Sequence, residues 1–332
     1  MRGICYILPI ILVMVLSSCD VLIHEYPNKH IIAGNDSKSV DCTLNLVFDT
    51  DMPIYQQITH PSRTASSDNY DIRYIVEAYR IANTHSAYNQ EITRLVSSKG
   101  GGLWDHSINI ELAEGVYDLY VWADYVLSGT TSHKYYNTDD LSYISIVGDI
   151  QGCDDYRDAF IGRLESVSIS TDEAKDITIP MERPLAKYRF ISNDIDTFLS
   201  QESSSNNTAT LNDYYIVFTY PDYVNTSYNI LLDTPAAPSR SLSYRAHIKQ
   251  LSEAEAEIGF DYIFVGNADT KVSVSLEIFR SDNTKVGGVD AFFVPLSRGK
   301  LTEVRGAFLT TKENGGIGVD PEFDDEITIP IS

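Results

Sequence analysis

Leu16-Ser17-Ser18-Cys19 closes an apolar N-terminal run, and this spacing is the one by which bacteria mark a cysteine for lipid attachment. Arg2 supplies a positive n-region, Ile4 to Leu16 an apolar stretch of signal-peptide length, and Ser17-Ser18 a small-residue cleavage site directly ahead of the thiol. A short transmembrane anchor is the competing reading, but the run falls well short of the roughly 20 apolar residues a spanning helix needs, and Pro9 interrupts it. Residues 1–18 are therefore expected to be removed, leaving Cys19 as an acylated N-terminus. Each buried methylene of an acyl chain is worth about 0.8 kcal/mol, and two or more chains hold a protein on a bilayer stably. The mature chain is expected to be tethered to a membrane without crossing it.

The remaining reactive side chains form no constellation. His24, His30, His60, His85, His106, His133 and His247 are scattered, with no pair at i and i+4 and no His-Glu-x-x-His, so no metal site is expected. Gly100-Gly101-Gly102 lacks the Lys-Ser/Thr of a phosphate-binding loop, and no Gly-x-Ser-x-Gly elbow occurs. Paired carboxylates such as Asp139-Asp140 and Asp154-Asp155 read as solvated loops. Asp320 to Glu326 offers hard oxygen ligands but has neither the spacing nor the glycine of an EF-hand. Trp104, Trp122, Tyr135 and Tyr136 could stack on sugar rings, although Trp122 lies inside a strand pattern that favours the core. Neither an enzyme nor a bound cofactor is expected.

Composition narrows the partners. The formal charge of -22, from 25 Lys+Arg against 47 Asp+Glu, becomes one unit more negative once Arg2 leaves, which disfavours nucleic acid and anionic headgroups. Of four cysteines, Cys5 leaves with the signal and Cys19 carries lipid, so Cys42 and Cys153 remain in an oxidising compartment. They could form one bridge or stay as two free thiols; pairing requires Cα atoms within about 7 Å.

Asp20 to Ser39, polar with Pro27 and Gly34, reads as a tether with little fixed structure. Cys42, Leu44, Leu46 and Phe48 then alternate with mostly polar residues, the pattern of a half-buried strand. Further strands are expected at Ile72 to Arg80, Ile108 to Leu112, Val116 to Val126, Tyr143 to Val147 and Leu164 to Ile169. Ile72 to Ala82 has the length of a helix, but strand is favoured. A second series follows at Leu185 to Ile191, Tyr214 to Tyr220, Tyr228 to Leu232, Ile258 to Val265, Lys271 to Arg280 and Leu301 to Thr310. Ser200 to Thr210 forms a polar loop, and short helical pieces are expected only at Asn193 to Leu199 and Ser252 to Glu257. Ile258, Phe260, Tyr262 and Phe264 share one strand face, with Gly259 and Asp261 on the other.

Asp176-Ile177-Thr178-Ile179-Pro180 recurs as Glu326-Ile327-Thr328-Ile329-Pro330, as if each copy closed a domain, and this puts a boundary near Glu182. Many short strands, scarce helices and frequent turns then point to a mainly β protein built as two tandem β-sandwiches. The division is a signal peptide at 1–18, a lipidated tether at 19–39, and sandwiches at 40–182 and 183–332.

Cys19 to Pro27, Gly115 to Tyr125, Tyr156 to Phe160 and Glu182 to Phe190 resemble, in that order, segments of the FimB-type fimbrial anchor lipoproteins of Bacteroidetes. Leu232 to Pro238, Val294 to Thr302, Val304 to Thr310 and Gly318 to Phe323 resemble the same group. The resemblance runs from the signal to nearly the last residue. It implies two transthyretin-like, Greek-key sandwiches on an outer-membrane lipoprotein that anchors a fimbria, with fimbrial subunits as partners by strand addition. Physically that is β-augmentation, in which an open sheet edge gains main-chain hydrogen bonds from another chain's strand. Arg63 reads as a loop arginine, since cleavage there would separate the chain from its lipid. Asp20, an inner-membrane retention signal in some bacteria, stands against the outer-membrane placement that the resemblance implies. The alternative function is a surface lipoprotein that binds a glycan or host protein without building a fimbria.

Overall fold

The computed structural model describes residues 23–24, 39–56, 70–81, 92–100, 106–170, 175–203 and 208–311. Its elements, in chain order, begin with β1 (Ile23–His24), β2 (Ser39–Phe48), β3 (Ile54–Gln56), β4 (Tyr70–Arg80), β5 (Ile92–Lys99) and β6 (His106–Ala113). They continue with β7 (Gly115–Leu127), β8 (Tyr136–Asn137), β9 (Ile144–Ile146), β10 (Ala159–Ile169) and β11 (Lys175–Glu182). After Glu182 come β12 (Leu185–Ser192), α1 (Ile195–Glu202), β13 (Tyr214–Tyr220), β14 (Val224–Asn229), β15 (Thr234–Ser239) and β16 (Leu242–His247). The described chain ends with β17 (Lys249–Gln250), β18 (Ala256–Phe264), β19 (Thr270–Arg280), β20 (Lys285–Leu296) and β21 (Leu301–Gly306). The protein is mainly β. No helix among the described residues is long and apolar enough to cross a membrane.

The first half is one eight-stranded sheet in the order β1-β5-β4-β7-β10-β11-β2-β6. It curls over its own core: Val40, Cys42, Leu44 and Leu46 of β2 and Ile177 and Ile179 of β11 meet Ile72, Tyr74 and Val76 of β4 and Leu119 and Val121 of β7. The alternation in β2 aims its apolar side chains inward as the sequence predicts, with Phe48 half-buried at the strand's end. In β4 the same period of two rules out the helical alternative. Its even-numbered residues from Ile72 to Ala78 enter this core, while Arg73, Ile75 and Glu77 are buried on the opposite face.

The sheet turns its corner between β10 and β11, which pair at Ile161↔Glu182 and Gly162↔Met181. Gly162 makes that corner possible, because a Cβ there would stand 2.5 Å from the Met181 sulfur and 2.6 Å from the Ile179 Cγ2. The β10–β7 ladder also slips between Leu164 and Val167, where Ser166 takes a positive φ of 58° and lets β10 bend.

The second half is two facing sheets, β17-β18-β12-β21-β3 and β16-β13-β19-β20. Tyr188 and Phe190 of β12 pack against Ile216 and Phe218 of β13, Leu276 and Ile278 of β19, and Phe292 and Val294 of β20. A fourth, small sheet, β15-β14-β9-β8, combines two strands from each half. A third core fills the space between the halves. Ile75, Trp122 and Ile161 from the outer face of the curled sheet meet Leu185, Phe260, Tyr262 and Phe264, with Tyr136, Ile144 and Tyr228 of the small sheet between them.

Several expectations change here. Phe260, Tyr262 and Phe264 do share a face, but Ile258 lies in the other core. The β12–β18 register slips at that point, with Phe190 opposite Gly259 and Ile191 opposite Glu257, so the bulge turns Ile258 over. Ser252 to Glu257 is not helical; it is a bend running into β18, held by the Ser252 hydroxyl accepting from the Ala254 and Glu255 amides. The helix expected at Asn193 to Leu199 forms slightly later, as α1. Of the repeated pentapeptide, Asp176 to Pro180 lies in β11, and the copy at Glu326 to Pro330 falls outside the described residues. The late strand that pairs in parallel with the first strand of the second half is β21.

Candidate functional site

Cys19 lies outside the described residues, as do Arg63, Trp104 and Asp320 to Glu326. Four residues beyond Cys19, Ile23–His24 pairs antiparallel with β5, Ile23 opposite Ser97 and His24 opposite Val96. The stretch expected to be an unstructured tether thus contains a short strand.

The two remaining cysteines are both free, and the possible Cys42–Cys153 bridge is not formed. Cys42 is held inside the curled sheet by the β2 alternation, whereas Cys153 precedes a 3-10 turn at Asp155–Arg157 and packs at the other two cores. Burial pushes the Cys42 thiol up and the Cys153 thiol up to about 12, so neither is primed as a nucleophile. Cys153 itself has a φ of 61° and donates its amide to the Phe260 carbonyl at 2.9 Å. A Cβ on the preceding Gly152 would fall inside the Tyr244 ring, at 2.1 Å from its Cε2, so the chain can press against the second half only as glycine.

This close approach brings in a buried polar network that nothing in the sequence marks. Arg157 donates to the Gln151 carbonyl at 2.7 Å and forms an ion pair with Asp261 of β18. The Tyr220 hydroxyl donates to the second Asp261 oxygen at 2.6 Å, and Tyr188 joins Tyr220 to Tyr244 through hydroxyl contacts of 2.6 and 3.1 Å. A few residues on, Arg183 clamps Asp158 through two nitrogens at 2.9 Å each. It also donates to the Thr50 and Asp51 carbonyls at 2.9 Å and lies over the Phe160 ring at 4.5 Å. Arg298 completes the junction by donating to Asp233 at 2.8 Å and to the Arg183 carbonyl at 2.8 Å, and Arg163 of β10 approaches the same Asp233 at 3.6 Å. Every charged group here has an opposite charge beside it, which is how ions are kept in an interior.

Of the aromatic residues singled out as sugar platforms, Trp122, Tyr135 and Tyr136 belong to the core. Trp122 and Tyr136 are fully buried and stand 5.3 Å apart edge to face, and Tyr135 donates its hydroxyl to Asp154 at 2.6 Å. Among the described residues no cluster of three or more His, Cys, Asp or Glu could hold a metal ion.

Among the described residues β6 pairs only with β2, and its opposite edge is open over Ser107 to Leu112. The polar side chains of β6 are turned back to β2, Ser107 donating to Asn45 at 2.7 Å and Asn109 accepting from Thr43 at 3.2 Å. Among the described residues β15 and β16 also end their sheets with one neighbour each, whereas some other edges are partly covered. β1 lies on β5, β3 lies on β21, and the Thr311 carbonyl accepts from the Gly288 amide of β20 at 3.3 Å.

A search of curated proteins finds no significant match. Among solved structures, a candidate adhesin from Bacteroides ovatus is 11% identical, with 93% of this chain and 99% of that one covered and a TM-score of 0.43. A candidate polysaccharide-binding protein from Bacteroides thetaiotaomicron is 11% identical over 76% of this chain and 80% of that one, with a TM-score of 0.44. The fimbrial anchor protein Mfa2 from Porphyromonas gingivalis is 10% identical over 75% and 82%, with a TM-score of 0.36. A family model matches residues 36–332, and by that match the chain belongs to the family of unknown function DUF6562.

Proposed function

We propose that this chain is a non-enzymatic cell-surface lipoprotein that attaches a fimbria to the outer membrane, or helps assemble one, through acylated Cys19. The observation that carries the reading is the Leu16-Ser17-Ser18-Cys19 sequence behind its apolar run. The order of family-like segments from Cys19 to Phe323 supports it. In this reading the halves on either side of the Glu182 to Leu185 connection are tandem transthyretin-like sandwiches. The partner is a fimbrial subunit that adds a strand, and the open edge of β6 is the surface suited to receive it. The binding energy then comes mainly from main-chain hydrogen bonds, with the small polar side chains of β6 leaving the approach unobstructed.

Replacing Cys19 with alanine tests the reading directly. The variant should fold and be recovered in the soluble envelope fraction, with fimbriae shed from the cells or altered in length. Retention on the membrane together with normal, cell-bound fimbriae would refute it.

A further inference from the structure

We infer that the lipid-bearing terminus fixes the orientation of the whole molecule, with the end of the curled sheet formed by Lys99 and the Leu127–Thr130 turn resting on the phospholipid headgroups. The inference depends on acylation of Cys19 and adds to it a specific membrane-facing surface.

The argument begins with β1. Ile23 and Ser97 are opposite one another in an antiparallel pair, so the N-terminal end of β1 faces the end of β5 that carries Lys99 and Gly100. Four residue steps lead from Cys19 to Ile23, a reach of at most ~14 Å even fully extended. The eight residues of β5 are on the order of 25 Å long. An acyl chain on Cys19 therefore has its attachment point within that reach of Ile23, which pairs two positions from the Lys99 end of β5. A tether of twenty free residues would leave every face of the protein equally able to meet the bilayer; β1 removes that freedom.

The surface at this end fits the position. The register places Lys99 beside Ile72 and Tyr125, and Tyr70 beside Leu127, at the same end of adjacent strands. Leu127 is 51% exposed although apolar. The turn after it is braced by Asp71, which accepts from the Ser128 hydroxyl at 2.9 Å and the Gly129 amide at 2.8 Å. The Lys99 ammonium lies 3.1 Å from His106 Nδ1, and that imidazole is kept below its usual pKa by burial and by Lys99, so it can accept the proton. A leucine able to dip among headgroups and a lysine able to meet phosphate suit an interfacial contact. The opposite end of the sheet carries Glu114, whose carbonyl is held by Arg80.

The test uses the full, acylated chain reconstituted in zwitterionic vesicles of phosphatidylethanolamine and phosphatidylcholine, since the negative charge of the chain disfavours anionic headgroups. Single-cysteine fluorophores are placed by Lys99→Cys, Leu127→Cys or Glu114→Cys in a Cys42→Ala, Cys153→Ala background, and are quenched by a nitroxide on the lipid headgroup. Quenching should be several-fold stronger at positions 99 and 127 than at 114; equal or reversed quenching overturns the inference. Adding Ile23→Pro with His24→Pro should abolish the difference, and an undiminished difference would show that β1 does not set it. Should the labelled proteins fold poorly, hydrogen exchange of the unmodified protein reads the same contrast. Vesicles should slow exchange at 98–100 and 127–130 but not at 113–115, and uniform slowing or none overturns the inference. The Cys19→Ala variant separates the two ideas. Its staying on vesicles defeats acylation at Cys19, whereas its release, together with equal quenching in the acylated protein, defeats the orientation alone.

Discussion

The two halves share a plan and differ in how they close. In each, one early strand is flanked antiparallel on one side and parallel on the other: β2 lies between β6 and β11, and β12 between β18 and β21. In the first half β11 goes on to pair with β10 across the Gly162 corner, joining both layers into one curled sheet. In the second half the strand preceding β21, β20, stays in the opposite sheet, and the place beside β21 is taken by β3 from the first half. The difference teaches that a sandwich edge can be closed by bending the sheet or by bringing in a strand from elsewhere. The two halves of this chain do one of each.

The largest effect on this comparison should come from Asp261→Ala. It leaves Arg157 buried without its carboxylate and should cost about 3–5 kcal/mol. Since the pair joins the halves, thermal unfolding should fall in temperature and separate into two steps; a melt like that of the wild type would show the junction to be dispensable. Gly162→Val tests the bent corner of the first half alone. The added side chain meets Met181 and Ile179, an overpacking expected to cost roughly 1–3 kcal/mol. Chemical denaturation followed by near-ultraviolet dichroism would read the loss, and an unchanged midpoint would mean that the corner can open to admit it.

A smaller effect is expected from Asp233→Asn. Burial opposes ionisation of Asp233, but hydrogen bonds from Tyr228 and Asn267 and the charge of Arg298 win, holding the carboxyl below its ordinary 3.8. A carboxyl that is more acidic when folded stabilises the fold above its unfolded pKa, and the benefit is lost as pH falls through the folded value. The variant should be less stable at neutral pH, by roughly 1–2 kcal/mol, and the gap should narrow below about pH 4. Parallel stability curves at pH 7 and pH 3 would exclude the carboxylate as the source.

The β class and most strands were legible because solvent on one face and core on the other impose a period of two, as in β2. Where both faces are buried the period disappears. Val116 to Val126 reads as nearly unbroken apolar sequence because Leu119 and Val121 fill one core while Trp122 fills another. The third core was illegible for the same reason, since Phe260 and Trp122 look like residues of a single apolar face until an opposing sheet is known. Arg157, Asp158, Arg183 and Asp261 carry no local pattern at all. Arg157 and Asp261 are 104 positions apart and Asp158 and Arg183 are 25 apart, and they meet at contacts that no periodicity encodes. The bulge that turns Ile258 over was hidden as well, because one extra residue changes the register without changing the composition. Of the candidate site, the cysteine motif was the readable part, and the open edge of β6 needed the topology.

The position of β3 has a consequence for how the chain matures. Ile54 precedes its partner Leu301 by 247 residues, so whatever folds first does so without this closure. Contacts between such distant residues form slowly because a long loop must be brought together before they reward it. Joining β3 to β21 thus waits until the chain as far as Leu301 is present in the same compartment. Until then the second half keeps an unpaired strand edge, which a chaperone could recognise and a neighbouring nascent chain could invade.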